Sequence, residues 1–148
     1  VCFPLDVECP LGATNGTGEG VVFIDGSIPL RTLGPIREPI RVEFRGSRIV
    51  DISGGEEAEA LKKVLEGAND PEHAYFMGEI GLGMNPACSL NGRMLEDEGC
   101  AGTIHFGIGD DRSFGGNNVC AQHIDLIFKA PTIRVDGRLV MQDGKVVD

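Results

Sequence analysis

AQHIDLIFK, residues 121–129, is the stretch on which the reading of this chain turns. Side chains of a strand alternate with period two, so Ile124, Leu126 and Phe128 face one way and His123 and Asp125 the other. Such a strand lines a core on one side and presents a polar site on the other. GTIHFGI at 102–108 repeats the pattern, with Ile104, Phe106 and Ile108 on the apolar side and Thr103, His105 and Gly107 opposite. In AYFMGEIGLG at 74–83 nearly every residue is apolar, which makes Glu79 a carboxylate in a run that otherwise reads as buried. A buried charge needs a partner.

Two imidazoles and two carboxylates from three strands are the N and O donors that zinc, cobalt, manganese or ferrous iron accept. The His-x-Asp spacing lets two neighbouring ligands lean over one ion at about 2 Å. Each piece has a plainer reading by itself: a hydrogen-bonded His–Asp pair, a glutamate paired with an arginine, a satisfied histidine lining a sheet. Together they leave too many polar groups for a core to hold without an ion to satisfy them.

Outward from these strands the pattern continues. Residues 3–9 alternate as a half-buried strand with Asp6 and Glu8 on one face, GVVFID at 20–25 reads as a buried strand, and 41–52 as a hairpin turning through Gly46. Ala58, Leu61, Val64, Leu65 and Ala68 recur at helical spacing, Glu59 sits four residues before Lys63, and Gly67 is the expected stop. TIRVDGRLVMQDGKVV at 132–147 carries two hairpin signals, Asp136-Gly137 and Asp143-Gly144. The expected fold is α+β, a mostly antiparallel β-sheet domain with one main helix, and residues 1–148 read as a single domain.

Bulk properties bound the function. A chain of 148 residues buries roughly 70% of the surface its unfolded form exposes, enough for one core. Thirteen basic against 23 acidic residues leave a net charge of -10, which repels phosphates and sets nucleic acid aside as a partner. No run approaches the roughly 18 apolar residues of a membrane helix, and the first residues lack the pattern of a signal peptide. The five cysteines are an odd number without a CxxC pair, so a reduced, cytoplasmic setting is expected. A start at Val1 reads as the beginning of a piece of something longer.

The remaining motifs read plainly. The glycines of GEIGLG and GIGDDRSFGG precede no helix and read as tight turns beside the site. Glu96-Asp97-Glu98 reads as a solvated face, and His73 as an exposed histidine. Cys100 and Cys120 lie near the candidate ligands in sequence, with nothing further to give them a role.

Taken together, EGVVFIDGSI, EPIRVEFRGSRIVDISGGEEAEAL, GEIGLGMNPAC, MLEDEGCAGTIHFGIGDD, FGGNN, HIDLIF and VDGRLVMQDGKVV resemble the thermophilic metallo-aminopeptidases of the aminopeptidase T type. The resemblance covers nearly all of this chain and about the C-terminal half of a typical member. It implies a metal-dependent aminopeptidase with one or two divalent ions (zinc, cobalt or manganese), a peptide substrate and a homodimer. Its metal ligands fall on Glu79, His105, His123 and Asp125. A further family glutamate follows a Leu-Pro or Phe-Pro pair; here Phe3-Pro4 precedes Asp6 and Glu8, so one of these is expected to bridge the metals or accept the proton of a water. A family tyrosine shortly after the first histidine is replaced by the stretch from Asp110 to Phe114, and the sole tyrosine is Tyr75. The related 2,5-dihydroxypyridine dioxygenases imply an alternative, a ferrous ring-cleaving enzyme in which His105, His123 and Asp125 form the iron site. A metal-stabilised, non-catalytic assembly domain is the third reading.

Overall fold

The computed structural model describes residues 7–147. Most of the expected strand at 3–9, and Asp6 with it, lies outside the described residues. In chain order the elements are β1 (Glu8–Gly12), β2 (Gly20–Ile24), β3 (Ser27–Ile28), β4 (Gly34–Pro35), β5 (Ile40–Arg45), β6 (Arg48–Ser53), α1 (Glu56–Glu66), α2 (Pro71–Ala74) and β7 (Met77–Gly83). They continue with α3 (Met94–Asp97), β8 (Thr103–Gly109), a single 3-10 turn (Arg112–Phe114), β9 (His123–Lys129), β10 (Ile133–Val135), β11 (Arg138–Gln142) and β12 (Lys145–Val146). The α+β class holds: antiparallel sheet dominates, and among the described residues α1 is the one helix longer than a single turn.

The central sheet has the order β1-β7-β8-β9-β3-β4, with every neighbouring pair antiparallel. Its apolar face carries Ile108, Ile124 and Leu126. These join Ile40, Val42 and Phe44 of β5 and Ala58, Leu61 and Leu65 of α1 in one buried cluster. The second sheet, β2-β5-β6, lies over that face; the Phe106 ring meets Phe44 and Phe128 edge-on at 5.8 and 5.1 Å. Each fully buried leucine of α1 contributes roughly 1.5–3 kcal/mol of apolar transfer.

Local signals explain the connections. Gly46 and Ser47, Asp136 and Gly137, and Asp143 and Gly144 all take positive φ, the conformation a two-residue hairpin turn demands and that glycine and aspartate tolerate best. Three acids, Glu56, Glu57 and Glu59, occupy the first turn of α1, where the helix dipole favours negative charge. Gly67 stops the helix, though in the right-handed region, with its N–H on the Lys63 carbonyl. Glu59 pairs with Lys62 at 2.7 Å instead of Lys63.

Two sequence expectations are corrected, one on the acids between β7 and β8 and one on the cysteines. Glu96-Asp97-Glu98 is no solvated face: Asp97 is fully buried and accepts the N–H groups of Asn91 at 2.7 Å and Gly92 at 2.8 Å, closing the loop on itself. Carboxylates at 96–98 look alike in a sequence, but only one of them lies beneath two backbone donors. Among the cysteines, Cys9, Cys100 and Cys120 are free while Cys88 is disulfide-bonded, a pairing that spacing does not reveal.

Candidate metal centre

Cross-strand partners in an antiparallel sheet point to the same face, so register shows which side chains share it. Gly12 of β1 is opposite Glu79 of β7, Glu79 opposite Gly107 of β8, and Gly107 opposite Asp125 of β9. One step along, Gly81 is opposite His105; at the ends, Glu8 is opposite Gly83 and Gly109 opposite His123. Glu8, Glu79, His105, His123 and Asp125 therefore project from one face of four adjacent strands.

The glycines between them are the condition for that gathering, and they are not turns as the sequence suggested. They lie inside β7 and β8 on the ligand face. A Cβ on Gly81 would stand 2.1 Å from His105 Nε2, and one on Gly107 would stand 2.5 Å from Glu79 Oε2 and 2.6 Å from His123 Cε1. Any larger residue would occupy the space the imidazoles and carboxylates fill.

Glu79 is the centre of the arrangement and only 2% exposed. Its Oε2 is 2.9 Å from His123 Nε2, and its Oε1 is 3.7 Å from His105 Nε2. His123 Nε2 also stands 3.1 Å from Asp125 Oδ1, and His105 Nε2 3.1 Å from Glu8 Oε2. Two groups result, Glu8–Glu79–His105 and Glu79–His123–Asp125, each with its donor atoms within 4.8 Å of one another. Each combines one imidazole with two carboxylates, and Glu79 belongs to both. Among the described residues, no lysine or arginine pairs with Glu8, Glu79 or Asp125.

Without a cation the imidazoles supply the positive charge. Burial disfavours the charged form of His105, but the neighbouring carboxylates of Glu79 and Glu8 outweigh it and raise its pKa to about 10. For His123 burial is again overcome, here by hydrogen bonds with Asp125 and Glu79, and the value is about 11. Burial would push the Glu79 carboxyl up, yet the two imidazoles beside it hold it below its ordinary value. A sixth group faces the cluster from the end of α3: burial, reinforced by the neighbouring carboxylates of Asp125 and Glu8, lifts Glu98 to about 8.

The residues fit a divalent cation on three counts. The donors are the borderline N and O atoms such ions accept. Glu8 Oε2 is buried without a hydrogen-bond partner, its 3.1 Å approach to His105 lacking hydrogen-bond geometry. The second nitrogen of His123 is committed, Nδ1–H donating to the Asp110 carbonyl at 2.7 Å, so that Nε2 is the atom turned to the carboxylates.

The sequence placed Glu8, Glu79, His105, His123 and Asp125, and the fold brings these five together. It missed Glu98 and the Asp110 carbonyl, which come from irregular segments without periodicity. It also missed Phe114, whose ring lies 5.7 Å from that of His123. Cys100 and Cys120 belong to neither ligand group. His73 is paired with Asp70 at 2.7 Å at the start of α2, away from the cluster.

Fold and site together define a small α+β domain with a mixed imidazole–carboxylate cluster of the kind that holds divalent metals in enzymes. The chain belongs to the 2,5-dihydroxypyridine 5,6-dioxygenase (NicX) family, whose sequence profile matches residues 8–148. It is 30% identical over 141 residues to the 2,5-dihydroxypyridine 5,6-dioxygenase of Pseudomonas putida, an alignment covering 88% of this chain and 40% of that protein. The structure of 2,5-dihydroxypyridine dioxygenase from the same organism superposes with a TM-score of 0.82 at 26% identity, covering 92% of this chain and 42% of the other. AmpT from Thermus thermophilus superposes with a TM-score of 0.69 at 24% identity, covering 95% and 39%. The aminopeptidase T resemblance is thus met in the fold, while the family is that of the dioxygenases. The chain spans less than half the length of these relatives.

Proposed function

We propose that the chain is the metal-binding portion of an oxygen-dependent enzyme that opens a dihydroxylated pyridine ring. Family membership along residues 8–148 is the observation that carries this reading, and the metal-type cluster supports it. His105, His123 and Asp125 supply the two imidazoles and one carboxylate of a ferrous oxygenase site, with Glu79 between the imidazoles. Bound iron would supply the redox chemistry that lets oxygen react with the ring. The protein's own part is to orient and to manage protons. Glu8, with an open oxygen on the cluster face, accepts the proton of a substrate hydroxyl. Glu98, whose carboxyl burial and the charges of Asp125 and Glu8 push upward in the metal-free chain, faces Asp125 across the cluster.

A second reading is metal-assisted peptide hydrolysis, and one observation favours it: Glu79 is shared between two groups of equal make-up. Glu79 in that position would hold a pair of ions with His105 and His123, and zinc, cobalt or manganese bound there would supply Lewis-acid activation of a water and a carbonyl. Glu8 would be the residue that accepts the proton of that water. Asp6, the other candidate for that role, lies outside the described residues. On either reading the remaining proposals are a small organic or peptide substrate, no nucleic acid, a homodimer and, against the disulfide at Cys88, a cytoplasmic setting. Among the described residues no helix is long and apolar enough to cross a membrane.

Anaerobic purification followed by metal analysis separates the readings. Stoichiometric iron with oxygen uptake on 2,5-dihydroxypyridine supports the dioxygenase; two ions of zinc, cobalt or manganese with release of amino acids from a peptide supports the hydrolase. Protein that binds no divalent metal defeats both.

A further inference from the structure

The segment from Asp110 to Gln122 runs between two ends that the sheet brings side by side, since Gly109 and His123 are cross-strand partners. Asp110 N–H donates to the Gln122 carbonyl at 2.9 Å, closing the neck of the loop. Within it, Asn118 is 7% exposed and uses both hydrogens of its side-chain amide, on the Gly109 carbonyl at 2.6 Å and the His73 carbonyl at 2.9 Å. Two carbonyl acceptors fix the amide orientation, because its oxygen could face neither. The backbone of Asn118 is held as well: its N–H donates to Asp111 Oδ1 at 2.7 Å, and its carbonyl accepts the Asp111 N–H at 3.2 Å.

This clamp surrounds the residue that orients His123. Asp110 lies between Gly109, which Asn118 holds by its side chain, and Asp111, which Asn118 holds by its backbone. The Asp110 carbonyl accepts the His123 Nδ1–H at 2.7 Å. Loops of this length otherwise sample many conformations, and a carbonyl that wandered would leave the His123 ring free to rotate or to exchange the roles of its nitrogens.

We propose that Asn118 is a positioning residue for His123: by tying the 110–122 loop to β8 and to the carbonyl of His73, it holds the Asp110 carbonyl where it fixes the imidazole, leaving Nε2 directed at Glu79 and Asp125. The consequence for metal affinity rests on the reading of His123 as a ligand. The orientation of the ring does not.

The test therefore has two arms, with zinc as the metal probe. In metal-free protein, NMR of the imidazole protons should show a slowly exchanging His123 Nδ1–H; in Asn118→Ala its exchange should quicken at least ~10-fold, the scale of removing two net hydrogen bonds from the loop. Leu65→Ala, a core truncation in α1 outside the loop, should leave that proton as it is, which separates positioning from general loosening. In the second arm, zinc affinity measured by chelator competition should fall ~10–100-fold in Asn118→Ala and little in Leu65→Ala. Where the alanine variant does not fold, Asn118→Asp keeps the shape but turns an oxygen toward two carbonyls, and should show the same losses. Wild-type exchange of the His123 proton in either folded variant overturns the inference. Faster exchange with unchanged zinc affinity upholds it and counts against His123 as a ligand.

Discussion

Glu79 and His123 meet at 2.9 Å in a site where the carboxylate is almost wholly buried and the imidazole is partly open to solvent. The same carboxylate turns its other oxygen to His105 at 3.7 Å. A single glutamate therefore holds up the proton affinity of two imidazoles that belong to different ligand groups.

Glu79→Gln should accordingly lower both imidazoles together. Glutamine keeps the shape but removes the charge, so the metal-free variant should show His105 and His123 titrating below the wild-type values of about 10 and 11. Zinc or ferrous affinity should fall at least ~10-fold, because the shared ligand loses its charge. Proton titration by NMR checks the first outcome. If only one histidine moves, Glu79 is not shared in the way the distances indicate.

Metal binding should strengthen with pH. Both imidazoles carry a proton at pH 7 in the metal-free chain, and a metal ligand must be deprotonated, so a cation that takes both displaces about two protons. Apparent affinity should then rise up to ~100-fold per pH unit across the range from 7 to 9. Calorimetry in two buffers of different ionisation enthalpy counts the protons directly. No net release would sink the assignment of both nitrogens as ligand atoms.

The metal-free protein should lose stability as pH rises. An imidazole held at about 11 when folded, against ~6.5 when unfolded, binds its proton more tightly in the folded chain. Its stabilising contribution is full below ~6.5 and declines as the pH climbs to and through the folded value. His105 acts in the same direction, and so does Glu98, whose folded value of about 8 lies above that of an ordinary glutamate. Urea midpoints measured from pH 6 to pH 10 should fall steadily. A rise over that window would contradict the cluster as described.

How far the sequence carried the structure follows from where period two applies. His123 and Asp125 share a face because they are two apart in a strand. The same rule placed His105, and the apolar run around Glu79 made its carboxylate conspicuous. Gly81, Gly83 and Gly107 also obey the rule, in phase with Glu79 and His105, but glycine signals turns so often that its place in an alternation does not stand out. Glu98, Asp97 and Asn118 obey no local period. Asp97 is held by donors within its own loop and Asn118 by a carbonyl 45 residues away, and no pattern within a strand or helix records such contacts.

Gly107→Ala should separate the fold from the site. The new methyl would stand 2.5 Å from Glu79 Oε2 and 2.6 Å from His123 Cε1, closer than a Cβ ever approaches such atoms, so the two side chains must move apart. Gly107 lies in the middle of β8 with both neighbouring strands in register, and the backbone hydrogen bonds need not change. Overpacking of this kind costs about 1–3 kcal/mol. The chain should therefore remain folded by circular dichroism while affinity for a divalent ion drops at least ~10-fold, because Glu79 and His123 belong to the same ligand group. Gly81→Ala presses on His105 instead, at 2.1 Å from Nε2, and should weaken the Glu8–Glu79–His105 group first. Two ions bound by the native protein and one by Gly81→Ala would identify that group as a metal site in its own right. Unaltered metal binding in both alanine variants would mean that the ligands do not meet above these glycines.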